Sequence, residues 1–255
     1  MSTKDPLLIG NWKMHKTSKE AAAFVKEFNK KIKRIEYFNL AVCVPATALD
    51  AVSRVLNRDA LELGAQNMFY ESEGAFTGEI SPLMLKEFNV KYVLVGHSER
   101  RLLGETDELI NTKVHAALKY GFKPVVCVGE SDQERKKGKY KQFVLKQLKA
   151  CLKEISKKEV VNVIIAYEPI WAISRGDNNH QSAQVLEIEE MHSFIRASLM
   201  ELYDERTAEA VYIIYGGSVK PSNIKQILFL QDVDGVLPGS ASLTVESFIE
   251  MIKNC

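Results

Sequence analysis

Four polar residues stand where apolar runs of the chain break off, and their types are those of proton-transfer chemistry. Glu168 ends the apolar part of the stretch Val160–Ala172, VVNVIIAYEPIWA, and Pro169 behind it biases the glutamate toward extended geometry. His97 follows the run Tyr92–Val95 and Gly96, while Asn11 and Lys13 follow the run that begins at Leu7. A positioned carboxylate serves as a general base, a neutral imidazole donates to a carbonyl, and an ammonium beside them stabilises an enolate-like anion. Each has a plainer alternative. The carboxylate pairs with a nearby cation, a lone histidine is structural, and the lysine is either a salt-bridge partner or an anion clamp.

Ser98-Glu99-Arg100-Arg101 reads as a helical turn capped by Ser98, whose positive end disfavours protonation of His97 and keeps it a neutral donor. Two glycine-bearing turns, Tyr215-Gly216-Gly217-Ser218 and Pro238-Gly239-Ser240, let backbone N–H groups approach a bound group. Either one alone is only a turn. Together with the base and the cation they point to proton chemistry on a small phosphorylated substrate.

Such residues need elements that bring them to one rim. Strand candidates are Leu7–Asn11, Leu40–Val44, Leu61–Gln66, Tyr92–Val95, Pro124–Val128, Asn162–Tyr167, Ala210–Tyr215 and Asp234–Leu237. The run before Glu168 is β-branched and nearly all apolar, as in a strand buried on both faces. Alternation along the first strand puts Asn11 and Lys13 on one face. Helical periods separate the strands. Thr17–Arg34 aligns Ala21, Phe24, Val25, Phe28 and Ile32, Asp107–Tyr120 ends at Gly121, and Lys139–Lys158 has Val144, Leu148, Leu152 and Ile155 on one face. This rhythm over 255 residues predicts an α/β fold, a (β/α)8 barrel in a single domain spanning 1–255. A doubly wound open sheet is the runner-up, but no GxGxxG motif opens its first helix.

Thirty-four basic residues face thirty-three acidic ones, a net +1, which gives no electrostatic handle for nucleic acid or a membrane. The lysine face of Lys139–Lys158 lacks interleaved aromatics and reads as a solvated face. The start, MSTKDPLLIGNWK, has no signal-length apolar region, and no stretch reaches membrane-spanning length. Cys43, Cys127, Cys151 and Cys255 form no close pair, so free thiols in a reducing cytoplasm are expected, with Cys255 a frayed end. No P-loop and no close metal-ligand cluster occurs, so no metal and no cofactor is expected. His15, His115 and His192 fall in helical segments and are expected at the surface or as caps, while Trp12 and Trp171 pack beside the site.

The chain resembles the triosephosphate isomerase family along nearly its whole length. The resemblance rests on GNWKMH (Gly10–His15), GAQN (Gly64–Asn67), GAFTGEIS (Gly74–Ser81), VGHSERR (Val95–Arg101), CVGE (Cys127–Glu130), AYEPIWAI (Ala166–Ile173), YGGSVKP (Tyr215–Pro221) and ASL (Ala241–Leu243). It implies cofactor-free interconversion of dihydroxyacetone phosphate and glyceraldehyde 3-phosphate, a step of glycolysis and gluconeogenesis. By that resemblance Glu168 shuttles the proton, His97 polarises the carbonyl, and Lys13 and Asn11 stabilise the enediolate. Glu99 and Cys127 support them, and Ser174, Ser218, Gly239 and Ser240 offer phosphate-binding N–H groups. The segment after Trp171 corresponds to a lid, and GAFTGEIS to a loop that docks into a second subunit, implying a homodimer with Thr77 near the partner's site.

Three departures stand out. The lid reads AISRGD (Ala172–Asp177) where the family has AIGTGK, so Ser174 keeps the N–H but not a glycine's conformational range, and Arg175 adds a cation. The segment Trp171–His192 runs longer than the usual pattern, with Asp177-Asn178-Asn179-His180 in place of the hinge and His180 expected in solvent. Pro238-Gly239-Ser240 replaces an aliphatic-Gly-Gly turn. Two rival functions remain: an aldolase-like lyase with a Schiff base on Lys13, and a non-catalytic barrel used as a binding scaffold. The first needs Lys13 neutral beside Glu99 and an anionic substrate, both of which favour the cation; the second needs none of the four polar residues.

Overall fold

The computed structural model describes residues 4–32, 38–172 and 182–255. Its strands are β1 (Leu7–Asn11), β2 (Asn39–Val44), β3 (Glu62–Ala65), β4 (Tyr92–Val95), β5 (Lys123–Val128), β6 (Ile164–Tyr167), β7 (Tyr212–Tyr215) and β8 (Gly235–Val236). Each pairs in parallel with the next, and β8 returns to β1 in the register Leu7↔Gly235, so the sheet closes. Parallel neighbours require crossovers, and helices supply them around the outside. The expected (β/α)8 barrel is the observed fold; the open doubly wound sheet is not.

Alternation sorts the strand side chains into two cores. Leu7, Ile9, Ala41, Cys43, Leu94, Val125, Cys127, Ile164, Ala166 and Ile214 belong to a cluster of strand and strand-flanking residues, the barrel interior. Leu8, Val42, Val93, Val126, Ile165 and Ile213 face the other way and pack with Phe24, Phe28, Ile110, Val144, Leu148 and Ile195 of the helices. Asn11 and Glu168 are in phase with the interior set. Burial of each large apolar side chain contributes about 1.5–3 kcal/mol, shared between both cores.

Boundaries moved where a local cap overrode periodicity. The first helix is Ser18–Lys31, with Thr17 and Glu20 in a capping box and Ala21, Phe24, Val25 and Phe28 buried; Ile32 is already extended, and Arg34 lies outside the described residues. The segment expected over Asp107–Tyr120 is a helix over Asp107–Lys119, capped by Thr106 at its start. Lys139–Lys158 is not one helix. It divides into Tyr140–Cys151 and Lys157–Val160, with Glu154 at φ +61° and a Ser156–Glu159 capping box starting the second piece. Val160, the first residue of the apolar run, therefore ends a helix, and β6 begins at Ile164, two residues after the expected Asn162. Likewise Ala210 closes the helix Glu205–Ala210, capped by Asp204, and β7 starts two residues later.

Not all surface expectations hold. His15 is exposed, but in the loop before the first helix, and His115 is half-buried with Nε2 3.0 Å from the Lys153 carbonyl. Cys255 is half-buried and its thiol reaches the Met251 carbonyl, so the end is packed rather than frayed. His192 is fully buried in the helix Val185–Leu202, edge-on to Tyr167, with Nδ1 3.1 Å from the Asp232 carbonyl and Nε2 unpartnered. The apolar face of its helix outranks the polarity of one ring.

Burial, the largest cause, pushes the His192 pKa down to about 4. The neutral ring is the native form, so the unfolded chain binds the extra proton. The stabilisation is full above pH ~6.5, the unfolded value, and is lost as pH falls toward about 4. The expected loss across that window is about 3 kcal/mol. Urea unfolding at several pH values should show it, and His192→Gln should flatten the profile; an equally steep variant would assign the slope to other groups.

Candidate active site

Glu168 sits one residue beyond β6, 3% exposed, with its N–H bonded to the Val128 carbonyl at 2.8 Å. Two glycines make room for it. A Cβ on Gly129 would lie 1.8 Å from the Glu168 carbonyl oxygen, and one on Gly216 would lie 2.7 Å from Glu168 Cγ. The Glu168 carboxylate reaches across to the end of β4, where Oε1 is 3.1 Å from His97 Nε2 and Oε2 accepts the Ser98 N–H at 3.2 Å.

His97 itself, not Ser98, caps the helix Ser98–Leu102. Its Nδ1 accepts the Glu99 N–H at 3.2 Å, because the ring folds back over the turn that follows it. That bond occupies the Nδ1 lone pair and leaves the proton on Nε2, the neutral donor tautomer. Burial opposes the charged ring, but Glu168 outweighs it and raises the His97 pKa above its ordinary value. For Glu168 burial acts upward, yet His97, the Ser98 N–H and Lys13 together hold the carboxyl below the usual range. The shift of His97 thus belongs to the contact with Glu168. Moving the carboxylate away removes it and leaves the helix N–H to hold the ring neutral.

Lys13 does not continue the alternation of β1. The strand stops at Asn11 and Lys13 adopts φ +51°, with its N–H on Asn11 Oδ1 at 2.9 Å and its carbonyl on Gln66 Nε2 at 2.8 Å. Its Nζ contacts Glu99 Oε1 at 2.7 Å, with Glu99 more than half exposed. Such an exposed pair is worth at most about 1 kcal/mol, so the ammonium is easily given up to an anionic ligand. Asn11, Lys13, His97 and Glu99 line one cavity of about 440 Å³.

Cys127 lies beneath this group, fully buried; burial first, and the Glu168 charge second, push its thiol well above the ordinary value. It is inert packing under the carboxylate. Gly239 precedes the single 3-10 turn Ser240–Ser242 after β8, where a Cβ on Gly239 would meet Lys13 Cε at 3.4 Å. Ser218 follows β7, its carbonyl bonded to Asn223 Nδ2 at 3.0 Å. None of these three phosphate candidates lines the 440 Å³ cavity, whose apolar lining includes Leu49, Ile80 and Leu85. Ser174, Arg175 and His180 lie outside the described residues.

The Trp side chains pack as expected: Trp12 is buried, and Trp171 donates to Glu130 Oε1 at 2.7 Å. Glu130 has no assigned role in the sequence reading. It is fully buried and also takes the Tyr167 hydroxyl at 3.1 Å and the Arg135 guanidinium at 3.3 Å, anchoring Pro169–Ala172 to the end of β5. Gln66 is a second omission, holding Lys13 as described. Both follow strand ends, Gln66 after β3 in GAQN and Glu130 after β5 in CVGE, and a polar residue at such a break marks the rim. Thr77 is exposed on a finger between β3 and the next helix, closed at its base by Phe69 N–H to the Ile80 carbonyl at 2.8 Å. Among the described residues no cluster of three His, Cys, Asp or Glu side chains could hold a metal, and no helix is long and apolar enough to cross a membrane.

Comparison with known proteins follows the same outline. The family model described as triosephosphate isomerase matches residues 6–255. The protein named triosephosphate isomerase from Herpetosiphon aurantiacus is 47% identical over 249 residues, covering 97% of this chain and 98% of the relative. Its namesake from Carboxydothermus hydrogenoformans is 47% identical over 251 residues, covering 98% of each. That from Dictyoglomus thermophilum is 44% identical over 249 residues, covering 97% and 98%.

Proposed function

This chain belongs to the triosephosphate isomerase family and carries its activity, and we propose that Glu168, His97, Lys13 and Asn11 are the residues that perform the isomerisation. The division between a carboxylate base and a neutral imidazole is the family's known one, taken over residue by residue. What supports it in this chain is the contact of Glu168 Oε1 with His97 Nε2 at 3.1 Å, close enough for a base and an electrophile to act on one small substrate.

Substrate would take over the Nε2–H that Glu168 now accepts. The carboxylate then turns to the carbon beside the carbonyl, removes its proton, and returns it to the neighbouring carbon. His97 Nε2–H polarises the carbonyl oxygen and moves protons between the two oxygens. Lys13 leaves Glu99 for the developing enediolate, and Asn11, which already orients Lys13 through the Lys13 N–H, adds a side-chain amide. No electrons leave the substrate, so no redox partner is required. Ser218, Gly239, Ser240 and Ser174 would direct N–H groups at the phosphate, with dihydroxyacetone phosphate and glyceraldehyde 3-phosphate as the pair exchanged.

A homodimer in the cytoplasm completes the reading. Exposed apolar side chains lie on the Thr77 finger (Phe76), on the helix after it (Leu83, Met84) and in the segments after β1 (Met14) and β4 (Leu102, Leu103), and Met14 and Leu103 line one cavity with Gly78, Glu79 and Ile80 of the finger. A second copy covering them would bring Thr77 toward its site. A coupled assay on glyceraldehyde 3-phosphate, with solution mass measured on the same sample, tests both parts. Rapid turnover and twice the chain mass of 28.8 kDa are expected. Borohydride trapping of a substrate adduct on Lys13 would favour the lyase, and a single-chain mass would remove the dimer.

A further inference from the structure

Lys16 is a basic residue that the chemistry above does not use, and it is held in an unfavourable backbone conformation. Its φ is +72°, a region where an L side chain is disfavoured and glycine is not. The side chain extends over two rings, with Nζ 5.3 Å from the Trp12 centroid and 5.0 Å from that of Phe24. At its end Nζ donates to the Leu243 carbonyl at 2.7 Å. Trp12 makes the parallel contact, Nε1 to the Ser242 carbonyl at 3.0 Å. One loop, the one bearing Lys13, thus holds two successive carbonyls at the end of the Ser240–Ser242 turn.

The turn passes that restraint back to its beginning. Ser242 is fully buried, and both its Oγ, at 2.7 Å, and its N–H, at 2.9 Å, bind the Gly239 carbonyl. The Gly239 carbonyl belongs to the same peptide unit as the Ser240 N–H. Lys13 is at the other side of this turn, its Cε beside Gly239. We propose that Lys16 is a positioning residue for phosphate: it clamps the Leu243 carbonyl and thereby fixes the Gly239–Ser240 N–H groups relative to Lys13. The inference rests on the reading of that turn as a phosphate site. Without the clamp, the start of the turn stays tied by the Asn11 N–H to the Pro238 carbonyl at 2.9 Å and Trp12 still holds Ser242, but the hold on Leu243 is lost, so the Gly239–Ser240 peptide can shift against Lys13 and the anion loses part of its simultaneous contact with both.

Lys16→Gly separates this role from a purely structural one. Glycine relieves the left-handed φ, so the variant keeps its loop conformation while losing the clamp. Inorganic phosphate is the probe, as a competitive inhibitor of the isomerase assay. In Lys16→Gly, KM and the phosphate inhibition constant should rise together by roughly threefold to tenfold, about the weight of one ordinary intramolecular hydrogen bond, with kcat falling less. Lys16→Arg, which can still reach the carbonyl, should restore most of the loss, and the Tm of Lys16→Gly should stay close to wild type. An unchanged phosphate inhibition constant in Lys16→Gly overturns the clamp while leaving the phosphate site standing. Wild-type enzyme that phosphate does not inhibit overturns the site assignment and the clamp with it.

Discussion

Glu168→Asp is expected to lower kcat by roughly 10²- to 10⁴-fold while leaving the fold intact, the span attributed to a mispositioned general base. The shortened side chain draws the carboxylate back by one methylene, and the backbone cannot follow to compensate. Its N–H is bonded to the Val128 carbonyl at 2.8 Å, Pro169 restricts it on the other side, and its carbonyl lies against Gly129, where even a Cβ would come within 1.8 Å. Contact with both His97 Nε2 and the Ser98 N–H needs the full reach of glutamate. Steady-state kinetics beside thermal unfolding separates the two effects. A variant within tenfold of wild type would show that the base is another group.

A loss of about 3–5 kcal/mol in unfolding free energy is expected for Glu105→Ala, the scale for stranding a buried charge. Glu105 and Lys113 are both nearly inaccessible, 7% and 2% exposed, and are joined by a direct ion pair. Glu105 also takes Arg100 Nε at 2.6 Å and the Gly96 N–H at 3.3 Å, while Lys113 Nζ reaches Asn67 Oδ1 at 2.7 Å. The two partners report the pair differently. For Lys113 burial dominates and lowers its pKa; for Glu105 burial acts upward but two cations overcome it and hold the carboxyl low. The carboxylate is therefore the well-compensated member, and removing it leaves the ammonium with the Asn67 amide and the weaker influence of the Glu79 charge. Gly96 adjoins His97, so the same change frees the backbone beside the imidazole. Denaturant unfolding at matched protein concentration measures the loss, and adding Lys113→Met to Glu105→Ala should recover part of it. A single-variant loss below about 1 kcal/mol would mean that water enters and solvates the lysine.

The barrel was legible because its signal is repeated. Eight short apolar runs separated by helical periods leave few topologies, and the β-branched character of Ile164-Ile165 or Val125-Val126 marks strands buried on two sides. Errors fell where one local interaction competes with a period. Ser156 and Glu159 cap a short helix inside what reads as one long amphipathic segment, and Asp204 caps Glu205–Ala210, whose last residue reads as the start of a strand. His192 went astray for the opposite reason: residue type suggested the surface, and the packing of its helix against Tyr167 decided otherwise.

For the site, sequence order determined which residues stand at strand ends: Asn11, His97, Glu168, and the turns at Ser218 and Gly239. Those positions follow from period and breakpoints, which are local. Closure of β8 onto β1 decided the rest, because it turns distance along the chain into contact across a rim. It set Glu168 against His97, brought Gln66 to the carbonyl of a left-handed Lys13, and carried Lys16 onto Leu243, 227 residues away. It also made His97 its own helix cap, a role fixed by the direction of one ring nitrogen. Residue types can state that an acid, a base and a cation are present. Which of them share a proton is a matter of ångströms, and only the closed barrel supplies those.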